Sequence, residues 1–168
     1  MIVKVYDNLF DAGYVRRFQQ ELKHLSWTVD TYITEKDKTY DGHCQTSLDR
    51  NSTLFHHMLN VITSNIEEVQ ELELYDAHAN CIFPRERAYF HKDNTSEGSI
   101  TLLYYVNDTE FLEGGTEIYN KETHEVRSIL PKAGRIVIFS GDILHRATCF
   151  REDQRFIIAY KFKRPEND

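Results

Sequence analysis

From about Leu72 onward the residue pattern changes from helical to strand periodicity, and that change most restricts what the chain can fold into. Tyr75–Phe83 alternates loosely, and Ser99–Val106, Glu117–Tyr119, Ile136–Phe139 and Arg155–Phe162 complete a set of short strand-like runs joined by turn residues. Ser99–Val106 is apolar on both sides. Upstream, Val3–Tyr6 reads as a short strand, and Asp11 caps a helix running to about Leu25. In that helix Tyr14, Val15, Phe18, Leu22 and Leu25 share one apolar face. Ser52 caps a second helix, with Leu54, Phe55, Met58, Leu59, Ile62 and Ile66 on its buried side. Thr28–Ser47 is polar and turn-rich, with a mobile segment expected around Glu35–Lys38. Helices near the N-terminus followed by strands and turns predict a closed or double-sheet β architecture with helices packed outside it.

Length and composition are consistent with this. At 168 residues the chain predicts one domain, large enough to bury a core without disulfides or a structural metal. Cys44, Cys81 and Cys149 cannot all pair and lack CxxC spacing, so reduced thiols are expected. Met1–Asp7 lacks the apolar run of a signal peptide, and no stretch approaches a membrane span. A cytoplasmic protein with no membrane partner is the expectation. The net charge of −7 disfavours a general polyanion binder, and nucleic acid is not expected as a partner. Oligomeric state is unreadable.

His91-Lys92-Asp93, then His145, 52 residues after Asp93, then Arg155 carry the chemistry. On a strand, residues i and i+2 point to one face, so His91 and Asp93 face inward while Lys92 faces away. Two histidines and one carboxylate fit one triangular face of an octahedral Fe(II), leaving three positions for a co-substrate and O2. Arg155 offers a fixed charged fork to a carboxylate. Alone, His-x-Asp is a weak signal in a chain with eight histidines. A structural Asp or Glu would also serve as partner to a buried arginine. His24, His56-His57 and His124 are read as structural or solvent-facing, and so are His43 and His78, which are placed to approach the pocket but have no ligand spacing.

The setting of these residues resembles the Fe(II)/2-oxoglutarate-dependent dioxygenases, within them the prolyl 4-hydroxylase-like branch. The matching stretch runs from about Tyr89 to Phe162 and includes Gly114-Gly115-Thr116-Glu117, similar to the family's Gly-Gly-Thr turn. The resemblance implies a mainly β fold, a double-stranded β-helix (jelly-roll) core with supporting N-terminal helices. It implies a single domain over 1–168, with 1–71 mostly helical support and 72–163 the catalytic β core. His91, Asp93 and His145 correspond to the iron ligands and Arg155 to the residue binding the C5 carboxylate of 2-oxoglutarate. Tyr105, with Thr101 and Leu103 as face-mates, matches a second contact to that carboxylate, and a core tyrosine is the alternative. Tyr89 shares the ligand face, and Asn80 lies about where the family places a further 2-oxoglutarate contact. No tyrosine stands at that place, so the C1-carboxylate contact stays open.

Fe(II), 2-oxoglutarate and O2, with ascorbate as an accessory reductant, are the implied cofactors and co-substrates. The implied reaction is hydroxylation of an unactivated C–H bond; a related halogenating branch lacks the carboxylate that is present here as Asp93. Proline in a peptide or protein is the first-choice substrate, and a free amino acid or small metabolite the alternative. The nucleic-acid demethylating branch carries a second arginine six residues after the first, where this chain has Lys161. The isopenicillin-synthase-like branch has Arg-x-Ser, whereas Arg155 is followed by Phe156-Ile157. A cupin-like metalloprotein without 2-oxoglutarate chemistry, or a catalytically silent module, would not need Arg155.

Overall fold

The computed structural model describes residues 3–32, 41–48, 52–84, 88–108 and 111–165. Helix α1 spans Ala12–Leu22 because the Asp11 carboxylate accepts the otherwise orphaned Tyr14 amide at 2.8 Å. It buries Val15, Phe18 and Leu22 and stops short of Leu25, where the Lys23 and His24 amides bond three residues back to Gln20 and Glu21. Helix α2 spans Thr53–Asn65; Ser52 Oγ accepts the Phe55 amide at 3.1 Å, and Phe55, Met58 and Ile62 are buried.

The strands are β1 (Val3–Tyr6), β2 (Thr28–Tyr32), β3 (Asp41–Ser47), β4 (Glu73–Ile82), β5 (Ile100–Tyr105), β6 (Thr116–Asn120), β7 (Glu125–Ile129), β8 (Ile136–Ser140), β9 (His145–Ala147) and β10 (Arg155–Lys163). They form a seven-stranded sheet in the order β1-β8-β5-β10-β4-β3-β2 and a three-stranded sheet in the order β7-β6-β9. All named pairs are antiparallel. This is the double-sheet jelly roll that the strand pattern and the resemblance imply.

Thr28–Ser47 departs from its turn-rich reading: its described residues form β2 and β3, which extend the large sheet beyond β4. Cross-strand pairing such as Gln45 with Asn80 and Thr46 with Ala79 overrides a polar local sequence. The segment Glu35–Lys38 lies outside the described residues. Strand β7 was also not anticipated; four of its five residues are exposed, and it pairs only with β6 at the sheet edge, so it carries no buried-face alternation.

Two cores follow from the two faces of the large sheet. One face, with Leu102, Tyr104, Ile138, Ile158 and Tyr160, packs on α1 and α2. The other, with Leu103, Tyr105, Val137, Phe139, Ile157 and Ala159, meets Ile118, Ile129 and Ile143 beneath the small sheet. Strand β5 is buried along its whole length because both of its faces are covered. Its register places Thr101, Leu103 and Tyr105 beside Lys161, Ala159 and Ile157 of β10. On the far side of β10, Asp76, His78, Asn80 and Ile82 of β4 oppose Lys161, Ala159, Ile157 and Arg155. Directly opposed residues share a face, so these side chains line the space between the sheets.

Candidate active site

His91 and His145 meet as an isolated antiparallel bridge. Each donates its amide to the other's carbonyl, at 2.9 and 3.0 Å. The His-x-Asp segment is therefore not the continuous strand expected of it: ladder pairing is confined to His91, and Asp93 sits in a bend. Asp93 is tied down instead by its amide, which donates to the Gly141 carbonyl at 3.0 Å.

The bridge and bend bring His91, Asp93 and His145 together, with one ligand atom from each lying within 4.8 Å of the others. His145 Nε2 lies 3.5 Å from Asp93 Oδ2, and His91 Nε2 lies 3.9 Å from Asp93 Oδ1. Both rings are oriented by the carbonyl two residues earlier: His91 Nδ1 is 2.9 Å from the Tyr89 oxygen and His145 Nδ1 is 3.0 Å from the Ile143 oxygen. A carbonyl only accepts, so Nδ1 carries the hydrogen and Nε2 keeps its lone pair toward the other ligands. His145 is buried and Asp93 partly so, whereas the His91 side chain is half exposed, so the cluster opens on the His91 side.

Burial pushes the His145 imidazole down to about 4, against the pull of Asp93. It is neutral near pH 7, the form a metal requires. Burial also works against an ionised Asp93, but His145, Lys161 and the Thr101 hydroxyl outweigh it and hold the carboxyl below its usual range. Two imidazoles and a carboxylate that converge in this way are a donor set suited to a divalent metal.

Arg155 lies on the same inner face and is fully buried. Its Nη2 donates to Thr116 Oγ1 at 2.9 Å, while Nε and Nη1 have no hydrogen-bond partner among the described residues. The Tyr105 ring centroid lies 5.3 Å from the guanidinium carbon, and the Tyr105 hydroxyl is 2.7 Å from the same Thr116 oxygen. Asn80, opposite Ile157, is only partly buried but has a buried Oδ1 without a partner. An unpaired buried guanidinium is costly, and its orphaned donors fit an anion with two oxygens. Burial penalises the charged form of Arg155, and Tyr105 opposes that shift. The structure thus gathers Arg155, Tyr105 and Asn80 on one wall. Tyr89 is 52% exposed, and its carbonyl accepts from His91 Nδ1.

Several residues near the site carried no individual signal. Thr116 was visible only within the Gly-Gly-Thr turn, yet it joins Arg155 to Tyr105. The turn needs its glycines: Gly114 has φ +70° and a Cβ there would overlap one edge of the Phe150 ring, while a Cβ on Gly115 would collide with Ser128 Oγ. His78 is buried on the inner face, with Nδ1 3.0 Å from Asp76 Oδ2, so it belongs to the wall of the site. No spacing could have shown this, since its neighbour in space, Ala159, is 81 residues away.

A jelly roll with a His-Asp-His cluster between its sheets and a buried arginine on the same wall defines a non-heme metal oxygenase scaffold. The family model for the 2OG-Fe(II) oxygenase superfamily matches residues 75–163, over half of the chain, and the protein belongs to that superfamily. It is a dioxygenase that takes Fe(II) and 2-oxoglutarate. Among solved structures the chain is similar to a prolyl-4-hydroxylase of Pseudomonas putida: 17% identity, TM-score 0.76, covering 97% of this chain and 92% of that one. HygX from Streptomyces hygroscopicus, with nickel, 2-oxoglutarate and hygromycin B bound, gives 15% identity and TM-score 0.70, covering 98% and 83%. A prolyl hydroxylase of Trichoplax adhaerens, in complex with a hypoxia-inducible-factor peptide fragment, gives 14% and 0.73, covering 95% and 83%. A comparison with curated proteins finds no significant sequence match. No helix among the described residues is long and apolar enough to cross a membrane.

Proposed function

We propose that the protein hydroxylates an unactivated C–H bond of a prolyl residue in a peptide or protein. His91, Asp93 and His145 would hold Fe(II), and Arg155 with Tyr105 would hold the far carboxylate of 2-oxoglutarate. The observation that carries the co-substrate assignment is the fully buried Arg155 with two unpaired nitrogens. Bound at the triad, Fe(II) supplies O2 activation coupled to oxidative decarboxylation of 2-oxoglutarate, yielding succinate and CO2. The chain's own share is orientation. The Tyr89 and Ile143 carbonyls set the two imidazole tautomers, and Thr116 fixes one edge of the guanidinium, leaving Nε and Nη1 for the carboxylate. Leu103, Ile157 and Ala159 give the same face an apolar lining.

The prolyl substrate is supported by the two prolyl hydroxylases among the similar structures. HygX, with hygromycin B bound, supports a second reading in which the substrate is a small molecule. The test is an anaerobic titration of Fe(II)-loaded protein with 2-oxoglutarate, followed by the visible charge-transfer band, in the parent and in Arg155→Ala. A saturable band weakened in the variant supports the site; its absence from folded, iron-bound parent removes 2-oxoglutarate. Succinate release stimulated by proline-containing peptides but not by free amino acids then supports the prolyl substrate, and the reverse pattern replaces it with a small molecule.

A further inference from the structure

Asp93 lies in a bend, outside any strand, so the ladder that holds a strand residue does not hold its side chain. What holds the carboxylate is a row of three side chains on adjacent strands. Thr101 of β5, Lys161 of β10 and Asp76 of β4 are consecutive register partners across the floor of the site. Thr101 Oγ1 donates to Asp93 Oδ2 at 2.7 Å, and Lys161 Nζ lies 3.2 Å from Asp93 Oδ1. Each carboxylate oxygen is thus engaged once, which fixes the plane of the group. Behind Lys161, Asp76 Oδ2 lies 3.6 Å from its Nζ and 3.0 Å from His78 Nδ1.

An ammonium beside a metal-binding carboxylate has two opposing effects. It orients the carboxylate, and it repels the incoming cation. Asp76 decides the balance, because a carboxylate within ion-pair distance cancels most of the ammonium's field at longer range. Lys161 is not a spare cation for substrate, since it already faces two carboxylates. We propose that Lys161 is a positioning residue of the metal centre: with Thr101 it clamps both oxygens of Asp93, while Asp76 neutralises it so that it does not oppose a divalent cation. This rests on the reading of Asp93 as a metal ligand.

The experiment is Mn(II) binding to the full chain, measured by the loss of the free-ion EPR signal. It compares the parent with Lys161→Met, Lys161→Arg, Asp76→Asn, the Lys161→Met/Asp76→Asn double variant and Asp93→Ala, with a urea midpoint for each. Lys161→Met is expected to weaken Mn(II) about tenfold, the usual scale for a partner that orients a ligand. Lys161→Arg keeps the charge and should restore most of the affinity. Asp76→Asn should weaken binding too, yet add nothing in the double variant, because Asp76 acts through Lys161. If Lys161→Met does not fold, Lys161→Gln takes its place.

Parent-like or tighter Mn(II) binding in the neutral Lys161 variants, with Asp93→Ala unable to bind, overturns the clamp and leaves the ligand assignment standing. A shift in the urea midpoint with unchanged Mn(II) affinity overturns it as well, since Lys161 would then support only the fold. Parent-like binding by Asp93→Ala removes the ligand assignment and the clamp with it.

Discussion

His91 and His145 exchange both of their backbone hydrogen bonds, although 54 residues separate them in the chain. Their rings sit with centroids 4.5 Å apart, each steered by the carbonyl two positions earlier. The bridge therefore sets the spacing of two donor nitrogens through the backbone, before any metal arrives. Replacing either ring by alanine should leave this pairing intact. His145→Ala is expected to abolish Fe(II)-dependent turnover and lower Mn(II) affinity by at least tenfold, with a far-UV circular dichroism spectrum like the parent's. Full turnover in that variant would remove His145 from the site.

Arg155 and Thr116 permit a graded test of the co-substrate wall. Arg155→Ala removes the charged fork and should weaken 2-oxoglutarate by about 2–5 kcal/mol. Thr116→Val keeps the charge and removes the hydrogen bonds that Arg155 and Tyr105 donate to Thr116 Oγ1, so a smaller loss of about 1–2 kcal/mol is expected. Isothermal titration of the Mn(II)-loaded protein with 2-oxoglutarate reads both. Equal losses in the two variants would show that charge is not what Arg155 contributes.

The Gly-Gly-Thr turn should fail by sterics. Gly114→Ala combines a left-handed φ with a Cβ overlapping one edge of the Phe150 ring, and Phe150 is itself buried. A loss on the order of 2–4 kcal/mol is expected from strain and displaced packing, read as a lower urea midpoint. Phe150→Leu in the same background should recover part of it, because the clash is with the ring.

Acid should weaken the metal-free protein through His145. Its imidazole titrates at about 4 in the folded chain and near the ordinary 6.5 in the unfolded one. Between those values the unfolded state binds the extra proton, so stability falls as pH drops from 6.5 toward 4. The full effect is on the order of 3 kcal/mol. Urea midpoints at pH 7 and 4.5 should therefore lie closer together in His145→Gln than in the parent.

Legibility of the fold followed burial. Strands β5, β8 and β10 were readable because buried strands carry strong apolar patterns, and β4 through a looser alternation. Strand β7, exposed along most of its length, and the polar hairpin β2–β3 had no such pattern, since pairing partners rather than their own residues make them strands. Both helix starts were legible because a cap is a local event between Asp11 and Tyr14, or Ser52 and Phe55.

The sequence by itself determined the chemical inventory: two histidines and a carboxylate of iron-ligand type, one arginine on an apolar strand, and the turn glycines between them. Those follow from residue identity and short-range periodicity, which need no knowledge of distant neighbours. Only the tertiary structure decided that Asp93 would sit in a bend held by Thr101 and Lys161, that His78 would belong to the site, and that Thr116 would join Arg155 to Tyr105. Each depends on cross-strand register between segments far apart in the chain, and register is set by which faces are buried together rather than by any residue alone.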